Sequence, residues 1–243
     1  LCRDWSSDVC SSDLTLASLG ENGHAVAAGL AQELGLAAPD APWHVARDGI
    51  AETGSFLGLI SGSLAKLATD VILLAQTEVG EVAEPAEAGR GGSSTMPQKR
   101  NPVASAYIVS AARGVHGLLP ILFAAMAQDH ERATGPWQSE QLALPQMFVL
   151  TAGALAHAVP LAVGLEVDAA KMRENLGLTQ GLILSEAVMM ALAEKVGRDA
   201  AHHQVQQAAA AAAKTRRPLL DVLKATPDIR KYFDDAALAR IRS

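Results

Sequence analysis

The chain has 243 residues, is 49% hydrophobic but only 4% aromatic, and carries a formal net charge of -6. The length allows one large domain or two smaller ones, and the acidic balance argues against nucleic acid as a partner. Lys66, Asp70 and Arg113 interrupt the apolar stretches, so no run is expected to reach the ~18–20 residues of a spanning helix. With no recognisable signal peptide, the expectation is a cytoplasmic protein without membrane contact.

Alanine and leucine dominate, which favours an all-α fold with helices packed closely on helices. Residues 1–14 read as foreign to the rest, or as disordered. They repeat a short phrase (Trp5-Ser6-Ser7-Asp8, then Ser11-Ser12-Asp13) and follow no helical or strand period. They also hold both cysteines, Cys2 and Cys10, whose spacing suits neither a metal nor a structural disulfide. From there Leu16, Leu19, Val26 and Leu30 recur at helical spacing, with Gly35 as the stop. Pro39 and Pro42 mark a turn.

A long helix is predicted over 48–77. Its seam is Ile50, Thr53, Leu57, Ile60, Leu64, Leu67, Val71 and Leu74, in steps of three and four. Such a helix needs a bundle of comparable helices. Gly58 and Gly62 permit close approach of a neighbour, and Lys66 with Asp70 reads as a surface pair. The run 76–85 is acidic. Its carboxylates are either solvated or a source of a general base.

The string Gly91-Gly92-Ser93-Ser94-Thr95-Met96-Pro97-Gln98-Lys99-Arg100-Asn101-Pro102 follows. Glycines and serines suggest a loop, and Asn101 and Pro102 suggest the N-cap and first residue of the next helix. The start of that helix would offer free N–H donors and a partial positive charge beside Lys99 and Arg100, a setting for a carboxylate or phosphate. The second long helix is predicted over 103–126 with Pro120 as a kink or interruption. The third runs over 140–163, with Pro145 and Pro160 limiting its ends.

Beyond Glu166 shorter helical pieces form a smaller second domain, 167–243, after a bundle domain over 15–166. They are expected near 168–174, 184–196, 199–214, 218–224 and 235–242. His202 and His203 are adjacent, without the i,i+4 spacing of a helical metal site, and read as surface or interface residues. No phosphate-binding glycine loop, serine-hydrolase elbow or zinc-protease motif is present.

The string Gly92 to Pro102 matches Gly-Ser-Ser-x-Met-Pro-x-Lys-x-Asn-Pro at every fixed position. It resembles the signature of the fumarase/aspartase superfamily. The resemblance extends to Trp43-His44-x-x-Arg47-Asp48 and to Gln128-x-His130-Glu131-Arg132 with Trp137 and Glu140. It also covers Asn175-Leu176-x-Leu178-Thr179-Gln180-Gly181, to which no chemical role is assigned. His44 and Arg47 are candidates to face substrate or to form a capping and salt-bridge cluster. Within the superfamily the chain is most similar to the cycloisomerases of 3-carboxy-cis,cis-muconate in protocatechuate catabolism.

The resemblance implies a long-helix bundle followed by a smaller helical domain, assembled as a homotetramer whose sites combine segments of three chains. It implies a small polycarboxylate substrate and neither cofactor nor metal. Ser93 is implied to transfer the proton at carbon, with Ser94 as the alternative. Ser94, Thr95, Lys99, Asn101 and Arg132 are implied to bind substrate; His130 is a weaker candidate. Several lyases of the superfamily place a glutamate seven residues after the signature lysine, where this chain has Ala106. That counts against a fumarate-releasing lyase, which stays as an alternative beside an inactive structural bundle. Relative to the family the chain is expected to lack the N-terminal domain and the C-terminal end, and to be inactive alone.

Overall fold

Small residues set the spacing of the long helices. The computed structural model describes residues 16–37, 44–85, 100–129 and 135–240. A 3-10 segment, Ala17–Asn22, kinked at Gly20, leads into α1 (Gly23–Leu34), which ends at the left-handed Gly35 as expected. The long helices are α2 (Asp48–Leu74), α3 (Val103–Ala125) and α4 (Pro136–Gly164). They pack against one another. Their shared core holds Leu57, Val115, Leu122, Ala143 and Met147.

The predicted seam of α2 is only partly the buried one. Leu57 and Val71 are buried, but Leu67 is 44% exposed. The core face instead runs through Ala51, Gly54, Gly58, Ser61 and Ala68. Close packing selected the small residues rather than the large apolar ones. A Cβ placed on Gly54 would lie 2.3 Å from Leu122 Cδ1. Where side chains are this small, polar links can cross the interface. Ser61 and Thr151, both buried, share a hydrogen bond of 3.1 Å. His116 Nε2 lies 3.0 Å from the Gly58 carbonyl.

The proline expectations need correction. Helix α4 runs through both Pro145 and Pro160 rather than ending near them, and α3 continues through Pro120 without interruption. A proline clashes with the carbonyl four residues earlier and leaves it without its donor. The residues four before Pro145 and Pro160, Gln141 and Ala156, are exposed, so their carbonyls can turn to water. The expected turn at Pro39 and Pro42 lies outside the described residues.

The expectation that no stretch could cross a bilayer is also overturned. Helices α2, α3 and α4 are each long and apolar enough to do so, with mean hydropathies of 1.6, 1.5 and 1.7 over their most apolar windows. The charges at Lys66, Asp70 and Arg113 are too sparse to break those windows.

The chain divides into two compact units. One runs to Gln76 and resumes over Val82–Glu166; the other holds Thr77–Glu81 and the described residues from Val167 onward. Two short strands, β1 (Val82–Ala83) and β2 (Glu166–Val167), pair in a two-stranded sheet that the sequence did not signal. The second unit contains α5 (Ala169–Leu176), α6 (Ser185–Val196), α7 (Arg198–Thr215), α8 (Leu219–Ala225), α9 (Pro227–Arg230) and α10 (Asp235–Arg240). Its core includes Val188, Leu192, Val205, Leu223 and Ile229. Asp168 caps α5 by accepting the Lys171 N–H at 2.9 Å.

Candidate functional site

The site begins where α3 begins. The expected cap is displaced by one residue: α3 starts at Val103, and Pro102, not Asn101, occupies the N-cap position. Asn101 lies just outside, half-buried, with its carbonyl accepting the Val103 N–H at 2.9 Å. The N-cap residue itself makes no side-chain capping bond.

The cap comes instead from Glu84, about 20 residues upstream in sequence. Its carboxylate accepts the N–H groups of Ala104 at 3.0 Å and Ser105 at 2.8 Å. It also accepts the Ser105 hydroxyl at 2.7 Å. This corrects the expectation of a helix end with free donors. The negative charge that the helix end favours is already supplied by the protein.

Arg100 is likewise engaged. Its guanidinium donates to both Glu166 oxygens, at 2.7 and 2.8 Å, and to the Glu84 carbonyl. Two parallel N–H bonds to one carboxylate are the geometry that suits arginine. The pair shifts both groups: hydrogen bonding to Glu166 raises the Arg100 pKa, and hydrogen bonding to Arg100 lowers that of Glu166. Pro85 packs against Gly164, where an added Cβ would lie 2.8 Å from Pro85 Cβ. The start of α3, the Glu84-Pro85 segment and the end of α4 are thus held together.

The acidic run 76–85 is neither simply solvated nor an evident base. Glu84 caps α3. Glu81 accepts a hydrogen bond of 2.8 Å from Asn175 Nδ2, which also donates to the Val79 carbonyl at 2.8 Å. This gives the Asn175–Gly181 stretch a structural use. Within it Gln180 and Gly181 take positive φ, and the Gln180 carbonyl receives the Leu219 N–H at 2.9 Å.

A second polar cluster lies at the start of α2. Arg47 Nε donates to both oxygens of Glu140, at 3.0 and 3.1 Å, while Nη2 makes a further short bond to the same carboxylate. Arg47 Nη1 donates to the His44 carbonyl at 3.2 Å. The His44 ring meets Trp137 edge to face, 5.3 Å between centroids. Of the two readings open for His44 and Arg47, the structure realises the salt-bridge cluster. Glu140 is 4% exposed.

Of the predicted site residues, Asn101 is described. Ser93, Ser94, Thr95, Lys99, Arg132 and His130 lie outside the described residues. His202 and His203 are exposed. Among the described residues no group of three or more His, Cys, Asp or Glu could hold a metal ion. Glu84 is the member of this site that sequence reasoning missed. Capping patterns act over three residues, so a cap from so far upstream gives no local signal.

Comparison with known proteins places these features in a wider setting. Residues 14–117 match a family described as lyase, and residues 181–242 match one described as adenylosuccinate lyase C-terminus. The chain is 58% identical over 209 residues to a 3-carboxy-cis,cis-muconate cycloisomerase of Pseudomonas aeruginosa, covering 86% of this chain and 46% of that one. It is 49% identical over 227 residues to a cycloisomerase of the same name from Bradyrhizobium diazoefficiens, covering 93% and 50%. Its fold is similar to the crystal structure of 3-carboxy-cis,cis-muconate lactonizing enzyme from Pseudomonas putida. That likeness has a TM-score of 0.84 and 46% identity, over 95% of this chain and 50% of the other. The chain spans about half the length of the curated relatives it matches.

Proposed function

The chain belongs to the fumarase/aspartase superfamily, and we propose that it serves the cyclisation of 3-carboxy-cis,cis-muconate to a carboxymuconolactone. The observation that carries this reading is the 58% identity to a cycloisomerase of that substrate. The uninterrupted string from Gly92 to Pro102 supports it.

The chemistry is an intramolecular addition. One carboxylate oxygen attacks a conjugated double bond. Negative charge collects on another carboxyl group as an aci-carboxylate, and a carbon then takes a proton. Stabilising that extra charge is the main demand, and positioned donors of this kind typically contribute a few kcal/mol. The helix end is occupied by Glu84, so the task falls to the side chains of Lys99 and Asn101. Arg132 holds a substrate carboxylate through its fixed charge and paired donors. Ser93 donates the proton to carbon and is reprotonated from solvent. Nearby positive charge stabilises the serine alkoxide that this leaves, and Lys99 is the proposed source. Ser94 and Thr95 add hydroxyl contacts to the substrate.

The protein is proposed to act in the cytoplasm as a homotetramer. The support for assembly is the apolar surface left on the long helices. Leu59 is 71% exposed, Leu142 68%, Val149 71% and Val163 85%. Isolated surfaces of this kind are unfavourable in water. Copies of the chain would cover them as the core of a larger bundle.

A fumarate-releasing lyase is the second reading, favoured by the match of residues 181–242 to the adenylosuccinate lyase C-terminus. One experiment separates the two. Residues 16–240 replace the matching stretch of the Pseudomonas aeruginosa cycloisomerase, and the graft is offered carboxymuconate, argininosuccinate and adenylosuccinate. Loss of diene absorbance with carboxymuconate alone is the expected result. Fumarate from either of the other substrates, with no change in carboxymuconate, would replace this reading with the lyase.

A further inference from the structure

Glu84 grips the chain on both sides of Asn101. Its carbonyl accepts from the Arg100 guanidinium, one residue before Asn101. Its carboxylate accepts from Ala104 N, Ser105 N and Ser105 Oγ, three and four residues after. Both contacts come from one residue, so the two flanks cannot shift independently of each other. The grip is anchored at each end. Ser105 is fully buried. Arg100 is fixed a second time by Glu166 through paired bonds of 2.7 and 2.8 Å. Pro85, next in sequence, is seated on Gly164, which leaves no room for a Cβ.

We propose that Glu84 is a positioning residue for the reaction, setting Asn101 where it can donate to the charge that develops on the substrate. This rests on the cycloisomerase reading of Asn101. The carboxylate is suited to the task because it needs no external partner: its oxygens together take three donors from α3. A carboxamide at the same place keeps one acceptor and turns an N–H₂ group toward a backbone N–H. An alanine keeps neither. Because Asn101 acts on charge present only in the transition state, its misplacement falls on kcat more than on KM. Displacements of about 1 Å in a reacting arrangement cost up to about a hundredfold.

The test is a double-mutant cycle in the graft described above. Glu84→Ala is expected to lower kcat about ten- to a hundredfold with KM changed less than about threefold. Glu84→Gln should fall between it and the unaltered graft. In an Asn101→Ala background the Glu84→Ala effect should shrink to less than about threefold, because the two residues act as one unit. A Glu84→Ala effect of equal size in both backgrounds would overturn the proposal, since a merely structural role multiplies. So would an unchanged kcat.

Should Glu84→Ala not fold, Ser105→Ala removes one of the three donors and is read in the same cycle, with the same two outcomes. A graft inactive with no substitution at all rejects the cycloisomerase reading, and the catalytic side of this proposal with it. The grip is then read without activity, from amide hydrogen exchange at Ala104 and Ser105 in the 243-residue chain. Faster exchange in Glu84→Gln supports it, and equal exchange overturns it.

Discussion

Replacing Glu140 by alanine should destabilise the first unit more than any surface change in it. Glu140 is 5% exposed in its side chain and Arg47 17%. Arg47 has committed Nε and Nη2 to this carboxylate and Nη1 to the His44 carbonyl. Removing the carboxylate leaves a guanidinium with little water to replace it. Breaking a buried pair in this way costs about 3–5 kcal/mol. The remaining access of Arg47 to solvent puts the expected loss near the lower bound, about 3 kcal/mol. For a chain of this length each kcal/mol moves Tm by about 2–4 °C, so Tm should fall by about 6–12 °C. Tryptophan fluorescence is the assay. Trp137 lies in the first unit, where its ring meets that of His44, so its emission reports on this cluster. Arg47→Met should cost a similar amount, and the double variant less than the sum of the two singles. If both single variants keep Tm within about 1 °C, the pair is not holding α2 to α4 and the reasoning fails.

Three further outcomes follow from the same structure. Ser61→Ala should cost about 1–3 kcal/mol by leaving the Thr151 hydroxyl buried without its partner, whereas Ser61→Ala with Thr151→Val should recover most of it; urea unfolding measures both. Gly54→Ala should cost about 1–3 kcal/mol, because the new Cβ would lie 2.3 Å from Leu122 Cδ1 and 3.3 Å from Leu119 Cδ1. A Tm unchanged by that substitution would mean that α2 and α3 are not in close contact there. The Glu166 pKa is lowered by Arg100. A lowered carboxylate pKa gives stability that is present above the unfolded value and is lost as pH falls through the folded one. Stability compared between the unaltered chain and Glu166→Gln should therefore differ at neutral pH and converge in acid. The difference should be small, since the Arg100 and Glu166 side chains are 44% and 54% exposed. A difference that grows in acid would contradict the direction of the shift.

Much of the fold was legible because long helices announce themselves by period. Asp48–Leu74 and Val103–Ala125 lie close to the predicted 48–77 and 103–126. What period could not tell was which face is buried. The period places Leu67 in the seam, yet it is 44% exposed, while Ser61 and Gly54 line the core. Size patterning misleads when close approach, not apolar volume, fixes the contact, and when large apolar residues are left on the surface. The prolines misled for a related reason: a helix accepts one where the freed carbonyl reaches solvent.

At the site, the Gly92–Pro102 string was readable from residue identity alone. The partner of the α3 start was not, because Glu84 reaches it through tertiary contact. The same holds for Arg47 and Glu140, which are 93 residues apart. Here the sequence left two uses open, and the hydrogen bonds realise the salt-bridge one.

The most direct test of the central claim is the conversion of 3-carboxy-cis,cis-muconate by the graft, with and without Ser93→Ala, followed by diene absorbance. The account predicts loss of the absorbance in the unaltered graft and a fall in rate of at least about a hundredfold in Ser93→Ala, as for loss of a proton-transfer group. A folded, tetrameric graft that leaves the diene untouched, or one that cyclises it equally well without the Ser93 hydroxyl, would contradict it.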